Sequence, residues 1–295
     1  MQALILAGGE GTRLRPLTTT VPKPVVPLVD RPFIAFMLDW LRTHGVEDIV
    51  ISCGHMASGV RNVLGDGSAF GVQLRYVEEP TPLGTGGALK YAEALLDDRF
   101  FMLNGDVLTD LDLGALIAAH RGHGARATIA LHRVEDPSSY GLVRTGEDGV
   151  VTAFVEKPAP GAADVDTINA GTYVFEPDVL ELIPTGRAVS VEREVFPELV
   201  GAGLFAFTGE GRWRDIGTPA SYLAANMEWM PAGGLIDPTV VVEAGADVTE
   251  SVVGAGARIA SGASIQRSVV LPEASVEAGA VFRDQVVGRD GRAVW

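Results

Sequence analysis

The chain has 295 residues, 47% of them hydrophobic and 21% charged, with a formal net charge of −15 and one cysteine. This is the profile of a globular protein with one large domain and a small appendage; the charge argues against nucleic acid as a partner, and a lone Cys53 excludes an internal disulfide or a cysteine-based zinc site. No run of about 18 apolar residues occurs and the N-terminus leads straight into a strand, so no membrane span, no signal peptide and a cytoplasmic location are expected.

Residues 3–6 form a short apolar run that ends in Gly8, Gly9 and Gly11, with Arg13, Arg15 and Lys23 close behind. A buried strand feeding a glycine-rich turn can aim backbone N–H groups at phosphate oxygens, and the cations add mobile positive charge for the same anion. The stretch reads as a nucleotide phosphate cradle made by Leu6, Ala7, Gly8, Gly9, Gly11, Thr12 and Arg13. It is not the ATPase P-loop, because no Lys-Ser or Lys-Thr follows the glycines, and GxGxxG counted from Gly9 ends on Leu14. Taken alone, the stretch is also compatible with a plain tight turn carrying solvated arginines.

Residues 33–43 place Phe33, Phe36, Met37, Trp40 and Leu41 on one helical face between Pro32 and Gly45. Residues 47–52 read as a buried strand ending beside Cys53, 56–64 as a helix and 72–79 as a strand; a further helix is expected from Thr85, capped by that residue. A strand over 99–106 and a helix over 111–122 continue the alternation. Such alternation predicts a Rossmann-like, doubly wound, mostly parallel α/β sheet with ligands at the carboxyl ends of its strands, where Gly8, Glu79 and Asp106 fall. After residue 125 the rhythm changes to strands and turns (ARATIALHRV, YGLVRT, VVTAFVEKP, INAGTYVFE), expected to carry a second substrate, and a helix at about 218–230 closes a catalytic domain of residues 1–232.

In residues 237–295, Val242, Val248, Val253, Ile259, Ile265, Val276 and Phe282 recur mostly six apart with small residues between, the hexapeptide pattern of a parallel β-helix. About three coils fit, near the minimum that buries its own core, so this segment is expected to dock on the rest of the chain or on a second copy. A short β-helix with an apolar end suggests a homo-oligomer, dimer or tetramer.

Gly8 to Thr18 reads GGEGTRLRPLT and is followed by PKP at residues 22–24. It resembles the sugar-phosphate nucleotidyltransferase (nucleotide-sugar pyrophosphorylase) family, whose signature is GGxGTRLxPLT and then PKP. The resemblance extends over essentially the whole chain. It implies a nucleotide-diphospho-sugar transferase type of fold with a short left-handed parallel β-helix, and as substrates a nucleoside triphosphate and a sugar-1-phosphate. In that reaction a sugar-phosphate oxygen attacks the α-phosphorus in line and pyrophosphate leaves, so the protein's task is to position two polyanions and neutralise charge.

Arg13 is the first candidate for a clamp on the leaving pyrophosphate, with Lys23 beside it; Arg15, two residues along, need not face the same way. Asp106 follows a buried strand and a glycine, where a lone carboxylate is costly without a cation. The resemblance implies that Asp106 and Asp215 hold the divalent ion, and oxygen ligands without His or Cys indicate Mg²⁺. Asp215 could instead cap the following helix, although Thr218 can do that alone; Arg214 departs from the neutral residue commoner in the family. The resemblance also implies that Lys157 meets the sugar phosphate and that Gly141, Glu156, Asn169 and Gly171 line its pocket.

In YVEEPTPLGTGGAL, Gly84 and Thr85 are candidates for the nucleotide, and similar enzymes read the base with the position held here by Glu79. A carboxylate only accepts hydrogen bonds. Guanine offers it two adjacent donors, whereas uracil and thymine offer one N–H between two carbonyls. At about 1.5 to 3 kcal/mol per charge-assisted bond, two bonds favour guanine by roughly 10² to 10⁴. The competing reading is a solvated Glu78–Glu79 pair. LGTGGAL, NAGTYVF and SVEREVFPELV look closest to the branch that joins GTP to mannose-1-phosphate, with transfer of uridylyl or thymidylyl groups to glucose-1-phosphate as the nearest alternative. A non-catalytic sugar-nucleotide sensor is disfavoured because Arg13, Lys23, Asp106 and Asp215 are all present. An acyltransferase is disfavoured because no histidine follows His132, and such β-helix enzymes generally need a histidine base.

Overall fold

The computed structural model describes residues 1–156 and 164–295. Nine strands make one sheet: β1 (Gln2–Ala7), β2 (Asp48–Cys53), β3 (Gln73–Glu78), β4 (Phe100–Asn104), β5 (Ala127–Arg133), β6 (Leu142–Thr145), β7 (Val151–Val155), β8 (Thr167–Phe175) and β9 (Leu204–Thr208). The order is β7-β6-β8-β4-β1-β2-β3, with β5 joined to both β8 and β9. Strands β1 to β4 pair in parallel, and β8 runs antiparallel to β4, β5 and β6. Leu4, Ile5, Ile49, Val50 and Ile51 are fully buried, the continuous apolar character that a parallel strand needs when both its faces are covered.

The expected helices appear as α1 (Phe33–Thr43), α2 (Ala57–Leu64), α3 (Gly84–Tyr91), α4 (Leu113–His123) and α5 (Pro219–Trp229). Helix α1 departs from the one-face expectation: Ile34, Ala35 and Leu38 are as buried as Phe33 and Met37, so it is covered nearly all round. Among the described residues no helix is long and apolar enough to cross a membrane.

The chain forms two compact units, Met1–Glu10 with Phe36–Trp213 and Gly11–Ala35 with Arg214–Trp295. The first holds the nine-stranded sheet. The second holds α5, the segment after the glycine turn, and three small parallel sheets of four, three and three strands built from residues 234–287. Val252 pairs with Val269 and Val269 with Val286, giving coils of 17 residues, one fewer than three hexapeptides. The saving falls at one corner, where Glu250, Arg267 and Asp284 stack with positive φ of 44, 48 and 52°. That conformation is costly for residues other than glycine. The next corner residues offset it: Ser251 Oγ accepts from the Ser268 amide at 3.1 Å and Ser268 Oγ from the Gln285 amide at 3.2 Å.

Val253, Ile259, Ile265 and Val276 fill the β-helix core as expected. Val242 does not, being 41% exposed; it lies in the first coil, which has a neighbouring coil on one side only.

Within the second unit the segment after the signature turn is held at three points. Trp295 Nε1 donates to the Arg15 carbonyl at 2.9 Å, the Tyr222 hydroxyl to the Pro27 carbonyl at 2.5 Å, and the Val29 amide to Asn226 Oδ1 at 2.8 Å. Tyr222 and Asn226 project from α5, so this helix fixes the far end of the segment.

Candidate active site

The carboxyl ends of β1, β2 and β4 come together in the first unit. The Gly105 amide donates to the Leu6 carbonyl at 2.9 Å, and a Cβ on Gly54 would come within 3.0 Å of the Gly8 carbonyl oxygen. Leu6 and Ala7 end β1, and Gly8 and Gly9 follow at the sheet's edge with Gly9 exposed. Asp106, half-buried, stands two residues beyond Asn104, which pairs with Leu6.

Glu79 belongs to this group. Its amide donates to the Cys53 carbonyl at 2.9 Å, continuing the sheet by one residue. Its Oε1 accepts from the Ser52 hydroxyl at 2.8 Å and its Oε2 from the Leu83 amide at 3.0 Å. A Cβ on Gly8 would lie 3.1 Å from Oε1. The carboxylate therefore sits over the glycine turn, half-buried, while Glu78 is exposed; the two do not behave as a solvated pair. Burial pushes the neighbouring Cys53 thiol up to about 12, so it stays protonated and unreactive in the fold.

The Gly84–Gly87 segment lies against the main chain at Val189. The Gly86 and Gly87 amides donate to the Val189 carbonyl at 2.9 and 3.2 Å, and Gly84 adopts φ +70° with that carbonyl oxygen 2.6 Å from where a Cβ would stand. Thr85 does not cap α3, since it is the second helical residue after Leu83. Its hydroxyl donates to Glu192 at 2.7 Å and accepts from the Val191 amide at 2.9 Å. These residues pin α3 against the 189–192 stretch.

The residues expected to line a sugar pocket lie around an irregularity in β8. Its register with β5 shifts between Asn169 and Tyr173, Ile168 pairs with β6 while residues 172–175 pair with β4, and Gly171 adopts φ +71° in between. Bulges of this kind re-aim side chains. Asn169 donates from Nδ2 to the buried Tyr173 hydroxyl at 2.8 Å and accepts from the Gly171 amide at 3.0 Å, and its own amide donates to the Gly141 carbonyl at 2.8 Å. At Gly141 a Cβ would come within 2.8 Å of Glu156 Oε2. Gly141, Glu156, Asn169 and Gly171 are thus brought together, whereas Lys157 lies outside the described residues.

In the second unit Arg13 is exposed on a short turn, Thr12–Leu14, anchored by buried Leu14. Gly11, at φ +62°, has Thr18 Cγ2 and Lys23 Cβ within 3.1 Å of its missing Cβ, which keeps Lys23 beside the turn. A Cβ on Gly217 would lie 2.7 Å from a terminal Arg13 nitrogen and 2.8 Å from Asp215 Oδ2, so these two charged groups meet over Gly217. Asp215 is not a helix cap: Thr218 caps α5, accepting from the Ser221 amide at 3.2 Å. The unusual Arg214 makes an ion pair with Glu228 of α5.

Sequence reading missed Ser52, Asn104 and Gly217. Asn104 Oδ1 is buried without a hydrogen-bond partner, and the side chain lies beside Gly171. The signal for Ser52 was available, as a lone hydroxyl in the otherwise apolar run of residues 49–53. Trp213 Nε1 donates to the Ala170 carbonyl at 2.9 Å and its ring stacks on His132, whose burial holds the imidazole below its usual pKa. Among the described residues no cluster of three or more His, Cys, Asp or Glu could cage a metal. Asp106 in the first unit and Asp215 in the second each offer a carboxylate of the kind that Mg²⁺ takes one or two of, completing its shell with water and substrate phosphates.

The family model for nucleotidyl transferase matches residues 2–230, and one for a GlmU-like C-terminal hexapeptide matches residues 226–293. The chain is 38% identical over 292 residues to a mannose-1-phosphate guanylyltransferase of Mycobacterium tuberculosis, covering 92% of this chain and 79% of the relative. It is 40% identical to a UTP–glucose-1-phosphate uridylyltransferase of Synechocystis, covering 76% of this chain and 62% of that one. The crystal structure of HddC from Yersinia pseudotuberculosis complexed with GMP-PN superposes with a TM-score of 0.67 at 29% identity, over 77% of this chain and 99% of that one. The glycine turn, the parallel sheet beneath it and the C-terminal repeats all agree with these matches: the chain belongs to the nucleotidyl transferase family.

Proposed function

We propose that the protein joins GTP to mannose-1-phosphate, giving GDP-mannose and pyrophosphate. The observation that carries the choice of base is Glu79: an acceptor-only group held over Gly8 by Ser52 and Leu83 suits the two adjacent donors of guanine. The Mycobacterium relative supports the sugar, and the Synechocystis relative keeps UTP with glucose-1-phosphate as the second reading.

Arg13 and Lys23 take the leaving pyrophosphate, and Lys157 the sugar phosphate. Glu156 accepts hydrogen bonds from sugar hydroxyls, in a pocket whose shape Asn169 and Gly171 maintain through Tyr173. Asp106 and Asp215 are assigned to Mg²⁺, which when bound supplies positive charge against the phosphates. A triphosphate substrate fits a cytoplasmic setting, and a homo-oligomer is part of the proposal.

The test is a matrix of GTP, UTP and dTTP against mannose-1-phosphate and glucose-1-phosphate with Mg²⁺, products read by mass spectrometry. GDP-mannose is expected to dominate, with a guanine preference of roughly 10² to 10⁴ and no turnover once the metal is chelated. Dominant UDP-glucose would overturn the reading.

A further inference from the structure

Ser52 is the penultimate residue of β2, fully buried, flanked in register by Leu6 of β1 and Val77 of β3. A hydroxyl in such a place is costly unless it finds a partner, and the one it finds is Glu79 Oε1 at 2.8 Å. Oε2 is held separately by the Leu83 amide at 3.0 Å, and the Glu79 amide by the Cys53 carbonyl at 2.9 Å. The residue is therefore fixed at its main chain and at each carboxylate oxygen.

A carboxylate has about four acceptor positions, so each oxygen keeps one beyond those taken by Ser52 and Leu83. The orientation of that remaining edge depends on both donors. With only the Leu83 contact, the carboxylate could rotate about its terminal torsion, where the energy wells are broad, and the free acceptors would lose their fixed direction. A base that offers two donors in one plane is the ligand most sensitive to that loss.

We propose that Ser52 is a specificity-determining positioning residue: its hydroxyl sets the plane of the Glu79 carboxylate and thereby the preference for guanine over uracil. This rests on the reading of Glu79 as the group that meets the base. It makes Ser52 a determinant of nucleotide choice that need not touch the nucleotide.

The experiment compares kcat/KM for GTP and for UTP, at saturating sugar-1-phosphate, in the full-length protein and in its Ser52→Ala, Ser52→Cys and Glu79→Gln variants, with thermal melting alongside. Ser52→Ala removes one oxygen and adds nothing, so its melting temperature should stay close to that of the parent. Its GTP-to-UTP ratio should fall about tenfold, the loss of one charge-assisted hydrogen bond, mainly through KM for GTP. Ser52→Cys, similar in size with a weak donor, should lie between the two. A merely structural serine would move the melting temperature and leave the ratio alone. An unchanged ratio in Ser52→Ala, together with a lost preference in Glu79→Gln, overturns this inference and leaves the base reading standing; an unchanged ratio in Glu79→Gln overturns both.

Discussion

At the scale of single residues, the site depends as much on missing side-chain atoms as on charges. Arg13 and Asp215 converge on the same few ångströms because position 217 has no Cβ. Substituting Gly217→Ala would put a methyl group 2.7 Å from the guanidinium and 2.8 Å from the carboxylate, both at the free ends of flexible side chains. The fold can yield there at little cost, but the Arg13 guanidinium and the Asp215 carboxylate cannot keep their places. Displacements of about 1 Å around a reacting centre can cost 10²-fold in rate, so steady-state kinetics should show kcat/KM down by roughly 10- to 100-fold while the melting temperature barely moves. A variant of full activity would show that Arg13 and Asp215 do not need this arrangement.

At the scale of elements, helix α3 is placed by contacts that its sequence alone does not announce. Gly84, Gly86 and Gly87 lie against the main chain at Val189, with the Thr85 hydroxyl bridging Glu192 and the Val191 amide. Gly84→Ala is opposed twice over, by the positive φ and by the Val189 carbonyl 2.6 Å from the new Cβ. It should lower stability by about 1 to 3 kcal/mol, measured by denaturant unfolding. Because Glu79 Oε2 binds the amide just before this helix, KM for the triphosphate should rise in the same variant. A Gly84→Ala protein as stable as the parent would show that the close approach to Val189 does not hold the helix in place.

At the scale of the whole molecule, the C-terminal repeats do more than pad the chain. Trp295 bonds to Arg15 and meets Tyr222 edge-on at 6.1 Å between ring centres, and Tyr222 in turn holds Pro27. Those contacts lie in the unit that carries Arg13, Lys23 and Asp215. A chain ended at residue 232 loses the Trp295 bond and bares one side of Tyr222. It should melt at a lower temperature and show a raised KM for the triphosphate, by calorimetry and pyrophosphate-release assay. If it melted and turned over like the full chain, residues 1–232 would stand as an independent catalytic domain.

Much of this was legible in the sequence, because it is written in local order. The alternation of apolar runs and helical faces marked the parallel sheet, the GGEGTRLRPLT turn marked the family, and the spacing of small and branched residues marked the repeats. What only the tertiary structure decided was which groups meet across distant stretches: Ser52 with Glu79, Gly84 with Val189, Gly141 with Glu156, Trp295 with Arg15. The first kind of information is carried by the period of burial along one element, which neighbouring residues share. The second depends on hydrogen bonds, and on close packing against glycines that leaves no room for a Cβ, between residues far apart in the sequence, and no period along the chain encodes those.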